Sequence, residues 1–158
     1  MKEKNLKDVK FKVVFVRHGE SIYNKNNIWG SWEDIDLSEE GIEESKLAGK
    51  LLKDYKFDIC YTSLLKRTIK TWNLIADELD LHYIDVIKNW RLNEKHYGNL
   101  MGLNKIETSK IYGDEQVKNW RRDFLSKPPL LKKDDPRNPI YDIKYKFLPK
   151  DLLPLGEV

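Results

Sequence analysis

Cysteine is nearly absent from this sequence, since Cys60 is the only one among 158 residues. A single cysteine excludes a disulfide within the chain, which is typical of proteins from a reducing compartment. Residues 1–10 form a polar leader without the apolar stretch of a secretory signal. No apolar run reaches the length of a membrane span. We therefore expect a cytoplasmic protein that has no membrane partner.

A large excess of one charge is also missing. Lysine and arginine together number 29, aspartate and glutamate 26, and the net charge is +3. This excess is too small to indicate nucleic acid binding, whereas a local cluster of cations would suit a small anionic substrate. Potential metal ligands do not cluster at the spacing of a metal site, so we expect no metal.

Proline is missing from the first 127 residues, and all six prolines come later. This shift in composition predicts an irregular, partly extended covering segment over residues 128–158, rather than a second domain. Hydrophobic residues make up 40% of the chain and charged residues 35%. Residues 1–158 are therefore expected to form a single globular domain with its own core.

The first feature that points to chemistry is an apolar run, residues 13–16, followed by Arg17, His18 and Gly19. The run predicts a buried parallel strand, and ligands gather at the carboxyl ends of such strands. A neutral histidine there can act as a nucleophile, and the arginine can clamp a phosphoryl group. Our hypothesis is a phosphohistidine site at His18. The alternative is a surface histidine that pairs with a carboxylate such as Glu20.

The rest of the first half predicts alternating strands and helices. A helix begins near Ser38, a strand covers residues 57–61, a second helix runs from about residue 65 to 79, and a third strand covers residues 83–87. This order implies a parallel sheet with right-handed crossovers. Two more helices are predicted at residues 104–112 and 113–127. The long aperiodic loop of residues 21–36 is expected to fold over a ligand.

Several blocks together resemble one family. The blocks are Arg17-His18-Gly19-Glu20-Ser21, Tyr61-Thr62-Ser63, Arg91-Leu92-Asn93-Glu94, His96-Tyr97-Gly98, Gly102-Leu103-Asn104-Lys105 and Trp120-Arg121-Arg122. With them the chain resembles the 2,3-bisphosphoglycerate-dependent phosphoglycerate mutases of the histidine phosphatase superfamily. The resemblance implies an α/β fold of three layers, a mainly parallel sheet flanked by helices. The chain lacks the C-terminal strand and helices of that family, and we expect it to be truncated there.

The resemblance also implies a function and a set of roles. The function is the isomerisation of 3-phosphoglycerate and 2-phosphoglycerate in glycolysis and gluconeogenesis, with 2,3-bisphosphoglycerate as phosphoryl donor and no metal. His18 would carry the phosphoryl group, and Glu94 would donate and accept the proton. The residues implied to bind the phosphoryl group are Arg17, Asn24 and Arg67. Those implied to bind the carboxylate and the other phosphate are Tyr97, Lys105, Arg121 and Arg122. Fixed cations suit this chemistry, which depends on positioning and charge stabilisation.

Two features depart from the family. The loop reads Trp29-Gly30-Ser31-Trp32 where the family has Phe-Thr-Gly-Trp. Gly30 and Ser31 are expected to bind substrate. The serine hydroxyl would replace that of the family's threonine from one position further along the chain. Serine would be strained there if its φ is positive. The second departure is the absence of a second histidine-glycine motif. His82 is expected to be structural, and His96 is a candidate for the pocket wall.

The missing motif leaves alternatives open. Three alternatives would account for it: the chain is a fragment, it needs a partner, or it is a truncated relative with weak or no turnover. A truncated relative of this kind would bind phosphorylated ligands. A phosphatase that uses the same phosphohistidine with water as acceptor is the other alternative. A homo-oligomer also remains open.

Overall fold

The structure is a computed structural model that describes residues 11–157. The predicted polar leader, residues 1–10, lies outside this range. The helices are α1 (Ile22–Lys25), α2 (Glu39–Leu51), α3 (Lys66–Leu79), α4 (Lys105–Tyr112) and α5 (Asp114–Arg122). The strands are β1 (Ile59–Thr62) and β2 (Asp85–Lys88). Single 3₁₀ turns cover Trp90–Leu92, Gly98–Leu100, Pro139–Tyr141, Ile143–Tyr145 and Lys150–Leu152.

The sheet is small and parallel. β1 pairs with β2 in a register that places Ile59 opposite Asp85 and Thr62 opposite Lys88. Helix α3 connects the two strands, as expected for parallel neighbours, which need a crossover. The predicted α/β class is confirmed.

The predicted first strand is wrong in its burial and its pairing. Residues 13–16 belong to neither of the two strands of the sheet within residues 11–157. Their side chains face outward, and Phe15 is 92% exposed. A run of this composition is typical of a strand covered on both faces, but the described part of the chain supplies no layer over it. Apolar side chains of β1 and β2, such as Tyr61 and Ile87, are also exposed.

Helix α2 packs on α3 through a stripe of small residues. The buried side of α2 carries Gly41, Ser45 and Gly49, spaced four residues apart. A Cβ atom on Gly49 would lie 2.7 Å from the Cβ of Glu78, so the two helices are too close for a larger residue. The helix begins as predicted at Ser38, whose hydroxyl accepts a hydrogen bond from the Gly41 amide. At the other end of α2, Gly41 lies against the backbone of Gly19 and Glu20, next to His18.

Two apolar clusters form the core on the other side of the molecule. The first contains Trp32, Met101, Leu131, Tyr145 and Leu153. The second contains Trp29, Leu100, Val117 and Trp120. Each cluster takes one tryptophan from the loop of residues 21–36, so burial of these rings anchors the loop. Helix α5 ends at Arg122, short of the predicted residue 127, because Asp123 is extended. Among residues 11–157, no helix has the length and apolar character needed to cross a membrane.

Candidate active site

The imidazole of His18 is held in one orientation. Its Nδ1 lies 2.7 Å from the Gly19 carbonyl oxygen, and its Nε2 lies 3.3 Å from the Nε of Arg67. Since a carbonyl accepts and a guanidinium donates, Nδ1 carries the proton and Nε2 holds a lone pair. Burial lowers the pKa of His18 below its usual value, and the nearby guanidinium of Arg67 lowers it further. The ring is therefore neutral near pH 7, as a nitrogen nucleophile must be.

The backbone after His18 is fixed against both α2 and α3. The Gly19 amide donates to the Thr71 hydroxyl at 3.0 Å. A Cβ atom on Gly19 would lie 2.1 Å from the Gly41 carbonyl oxygen, closer than any side chain permits. Ser45 completes this contact by donating to the Gly41 carbonyl at 2.7 Å. Glycine at position 19 is therefore required by a close approach of two backbone segments.

Arg67 connects the histidine to the predicted acid. It lies in the first turn of α3 and is only 1% exposed. One Nη2 hydrogen bond reaches the Glu94 carboxylate at 2.9 Å, while Nε donates to His18. The carbonyls of Ser31 and Glu33 accept two further hydrogen bonds, at 2.7 and 3.0 Å. These backbone contacts fix the plane of the guanidinium between His18 and Glu94.

The turn that carries Glu94 is held through its backbone and through Asn93. The Glu94 carbonyl accepts a hydrogen bond from Trp32 Nε1 at 2.8 Å. The Asn93 amide accepts from the Leu64 backbone and donates to the Tyr145 hydroxyl at 2.9 Å. The Glu94 side chain itself remains 41% exposed. The backbone of this residue is therefore fixed, while its carboxylate remains accessible.

Two cavities meet beside these residues. The smaller, about 220 Å³, is lined by Arg17, Asn24, Trp29, Gly30, Glu94, Tyr97, Lys105, Arg121 and Arg122. The larger, about 480 Å³, is lined by Arg17, His18, Gly19, Glu20, Asn24, Glu44, Ser45, Ala48 and Thr71. The structure thus brings together eight of the predicted site residues in one cavity and His18 in the next. Arg17 and Asn24 line both cavities and mark the place where the two join.

The smaller cavity is crowded with positive charge. Burial lowers the pKa of Lys105, and the neighbouring Arg121 lowers it further. Burial and the Glu94 carboxylate raise the pKa of Tyr97, which keeps its hydroxyl protonated. Cations that disfavour one another in this way are stabilised by an anion placed between them. The cavity can therefore hold a small ligand that carries more than one negative charge.

Ser31 lies in the scaffold behind the pocket and lines neither cavity. Its φ is 55°, so the strain that we expected for serine at this position is present. Its hydroxyl donates to the Lys95 carbonyl at 3.0 Å and accepts from the Tyr97 amide at 2.8 Å. A hydroxyl with both roles filled, in a residue that is 0% exposed, cannot also contact a substrate. Gly30, in contrast, lies on the cavity wall.

The other two histidines lie outside both linings. His82 is on the surface, 3.0 Å from the Asp77 carboxylate. His96 was a candidate for the pocket wall but is fully buried, with its ring 5.4 Å from that of Trp32. Burial lowers the pKa of His96 to about 4. Its Nδ1 accepts from the Gly98 amide, so this histidine supports the turn after Glu94.

Sequence reasoning missed Lys95 and the contribution of Trp29. The Trp29 ring lines the smaller cavity and packs at 4.8 Å from the Tyr97 ring. Its place in an aperiodic loop between Gly30 and a polar stretch was a signal that could have identified it. Within residues 11–157, no three histidine, cysteine or acidic side chains lie close enough together to hold a metal ion.

Comparison with solved structures identifies the same architecture in several proteins. The phosphoglycerate mutase of Bacillus anthracis is 26% identical with a TM-score of 0.58, over 67% of this chain and 48% of that chain. A putative alpha-ribazole-5'-phosphate phosphatase of Escherichia coli is 25% identical with a TM-score of 0.56, over 69% of this chain and 53% of that chain. A mycobacterial glucosyl-3-phosphoglycerate phosphatase, 24% identical, shares the fold with a TM-score of 0.57, over 68% of this chain and 49% of that chain.

These relatives include a mutase and phosphatases, and the chain spans about half the length of the solved structures that it matches. The sequence also matches the histidine phosphatase superfamily (branch 1) over residues 13–133, which is most of the chain. The matched region contains His18, Arg67 and Glu94. The chain therefore belongs to branch 1 of the histidine phosphatase superfamily.

Proposed function

We propose that this protein interconverts 3-phosphoglycerate and 2-phosphoglycerate through a phosphohistidine at His18. The observation that carries the proposal is the smaller cavity, where Arg17, Lys105, Arg121 and Arg122 surround a single carboxylate, Glu94. Its volume of about 220 Å³ suits a small molecule rather than a nucleotide or a peptide. A three-carbon acid with a carboxylate at one end and a phosphate beside it matches a pocket that has cations on several sides.

The geometry supports the proton and phosphoryl steps. In the first step the Nε2 lone pair of His18 attacks the phosphorus atom, and the bond from phosphorus to the donor oxygen breaks. Glu94 protonates the oxygen that leaves, and its carboxylate later takes the proton of the hydroxyl that accepts the phosphoryl group. Arg67 contacts both residues and can stabilise the negative charge that develops between them.

The phosphoryl donor that we propose is 2,3-bisphosphoglycerate. The residues present fit it, because the unprotonated Nε2 of a neutral imidazole, held by Arg67, belongs to a residue that lines the cavity beside the cationic one. Arg17 and Asn24 would contact the group being transferred, while Lys105, Arg121 and Arg122 would bind the far end. We also propose that the protein works in the cytoplasm, in glycolysis and gluconeogenesis. Its small-molecule partners would then be phosphoglycerates.

A phosphatase is the second candidate, and one observation favours it. The larger cavity, about 480 Å³, is lined by His18 and by uncharged and acidic side chains such as Ser45, Ala48 and Glu44. It would admit water to a phosphohistidine. Water in place of a hydroxyl acceptor would turn the same first step into hydrolysis.

An assay of both products separates these functions. The full chain is given 3-phosphoglycerate with and without 2,3-bisphosphoglycerate, and 2-phosphoglycerate and inorganic phosphate are measured together. We expect 2-phosphoglycerate to form only with the donor, faster than phosphate, and to be lost in Glu94→Gln. Phosphate release that exceeds isomerisation would replace the proposal with the phosphatase.

A further inference from the structure

Lys95 makes contacts that no role in the site has used. It is half-buried, directly after Glu94, and lines neither cavity, although its Nζ lies 5.8 Å from the centre of the Tyr97 ring. The Nζ donates to the Trp120 carbonyl at 3.2 Å and to the Ser126 carbonyl at 3.1 Å. One cation therefore joins two points of the chain that lie on either side of the end of α5.

The end of α5 carries the two arginines of the cationic cavity. The last carbonyls of a helix have no partner within the helix, and a cation at this end also interacts favourably with the helix dipole. Trp120 immediately precedes Arg121 and Arg122, so a bond to its carbonyl fixes the turn from which both arginines project. The Trp120 indole, which donates to the Lys127 carbonyl at 3.1 Å, is a second tie in the same segment.

The backbone of Lys95 is bonded to the scaffold behind the pocket. Its carbonyl accepts a hydrogen bond from the Ser31 hydroxyl. The same hydroxyl accepts a hydrogen bond from the Tyr97 backbone amide. Ser31 in turn accepts from Arg67 through its own carbonyl. Lys95 thus connects the Arg67 scaffold to the end of α5.

We propose that Lys95 is a positioning residue that sets the distance from Glu94 to Arg121 and Arg122, and so matches the pocket to a ligand with two anionic ends. The proposal rests on the proposed function only in its choice of ligand. Lys95 acts through the arginines rather than on the ligand, because two of its N–H groups are already bonded to carbonyls and it lines neither cavity.

The test uses ligands of one and two anionic ends. Calorimetry measures the affinity of the full chain for 3-phosphoglycerate and for inorganic phosphate, in the unchanged protein, Lys95→Met and Lys95→Arg. Lys110→Met is the control, since Lys110 is an exposed lysine of α4 that pairs with Glu107 at the surface. Hydrogen exchange over residues 121–127 reports on the end of α5 without any ligand.

We expect Lys95→Met to weaken 3-phosphoglycerate binding about tenfold, the usual effect of losing hydrogen bonds from a charged donor. In the same variant, phosphate binding should stay within about twofold and amide exchange over residues 121–127 should accelerate. Lys95→Arg, which keeps the charge and the donors, should retain 3-phosphoglycerate binding and slow amide exchange. The losses in Lys95→Met and Arg121→Gln should be less than additive when combined, because both act on one contact. If Lys95→Met does not fold, Lys95→Gln, too short to reach both carbonyls, replaces it.

Equal weakening of both ligands, or unchanged exchange over residues 121–127, would overturn the proposal. Fully additive losses would also overturn it, since they would indicate that Lys95 contacts the ligand itself. A different result would count against the proposed function instead: an unchanged protein that binds 3-phosphoglycerate no more tightly than phosphate. In that case the exchange over residues 121–127 still decides the role of Lys95.

Discussion

The two ends of the pocket hold their arginines in opposite ways. At the inner end, formed by His18, Arg67 and Glu94, the guanidinium of Arg67 is buried and makes four hydrogen bonds. At the outer rim, formed by Lys105, Arg121 and Arg122, the two arginines are exposed on the last turn of α5. The inner end therefore contributes to the fold as well as to the chemistry that we propose, whereas the proposed role of the rim is binding alone.

This difference separates two kinds of functional cation. A buried guanidinium must have its hydrogen bonds satisfied, so the chain bends its backbone carbonyls toward it. An exposed arginine keeps its hydrogen-bonding capacity for a ligand and adds little to stability. Substitutions at the two ends should consequently give different ratios of lost stability to lost binding.

The largest effect is expected for Arg67→Met. The change leaves the Ser31 carbonyl and the Glu94 carboxylate without the donor they share, and it removes one of the two donors to the Glu33 carbonyl. It also frees the His18 ring. We expect the free energy of unfolding to fall by about 4 kcal/mol, since a hydrogen bond to a charged group contributes about 1.5–3 kcal/mol and the buried guanidinium makes two to backbone carbonyls, with phosphorylation of His18 also lost. Urea denaturation measures the first effect. Arg91→Met, at an exposed arginine that lies over Trp90, is the control and should change stability little.

His96 should make the free energy of unfolding depend on pH, by about 3 kcal/mol. Burial holds its pKa at about 4, below the usual 6.5, so the unfolded chain binds a proton before the folded chain does. This stability is present above pH 6.5 and is lost as the pH falls toward 4. Urea denaturation at pH 7 and pH 4 measures it. His96→Asn should flatten that dependence, and an unchanged slope in this variant would contradict the assignment; His82→Asn, on the surface, is the control.

Gly19→Ala should cost about 2 kcal/mol of stability, since its Cβ would overlap the Gly41 carbonyl oxygen and force two backbone segments apart. Gly30→Ala is a matched control, because a Cβ there meets nothing closer than 3.6 Å. Its change in unfolding free energy should stay within about 0.5 kcal/mol. Equal losses in both variants would show that the approach of Gly19 to Gly41 is not what fixes the His18 turn.

The smallest effect on stability is expected at the rim. Arg121→Gln should change the unfolding free energy by less than about 0.5 kcal/mol while weakening 3-phosphoglycerate binding about tenfold. Lys118→Gln, another exposed cation of α5 outside the cavity lining, is the control for both measurements. A stability loss at Arg121 comparable to that at Arg67 would remove the distinction between the two ends.

Local signals in the sequence predicted helices α2, α3 and α4 well, and the resemblance supplied most of the pocket residues. Ser38 and Asn104, at the starts of α2 and α4, cap their helices within one turn, so such residues can be recognised from their neighbours. The blocks around His18 and Glu94 identified residues that the structure brings to two neighbouring cavities. Their roles in the reaction stay predictions until they are tested.

Long-range features could not be predicted in the same way. The apolar run of residues 13–16 predicted a covered strand, but burial depends on what packs against it, which no local pattern reports. The Ser31 hydroxyl was predicted to bind substrate in place of the family's threonine. Its partners, the Lys95 carbonyl and the Tyr97 amide, lie more than sixty residues away, so no local pattern reports them. Lys95 was missed for the same reason, since its carbonyl acceptors are backbone atoms and leave no side-chain signature.

The most direct test of the account is the site and chemistry of phosphorylation. The full chain is incubated with 2,3-bisphosphoglycerate, and the phosphorylated residue and its linkage are determined by mass spectrometry and phosphorus NMR. The account predicts one acid-labile phosphoryl group on Nε2 of His18, absent in His18→Ala and retained in His82→Ala. A phosphoryl group on another residue, on Nδ1, or none at all would contradict it.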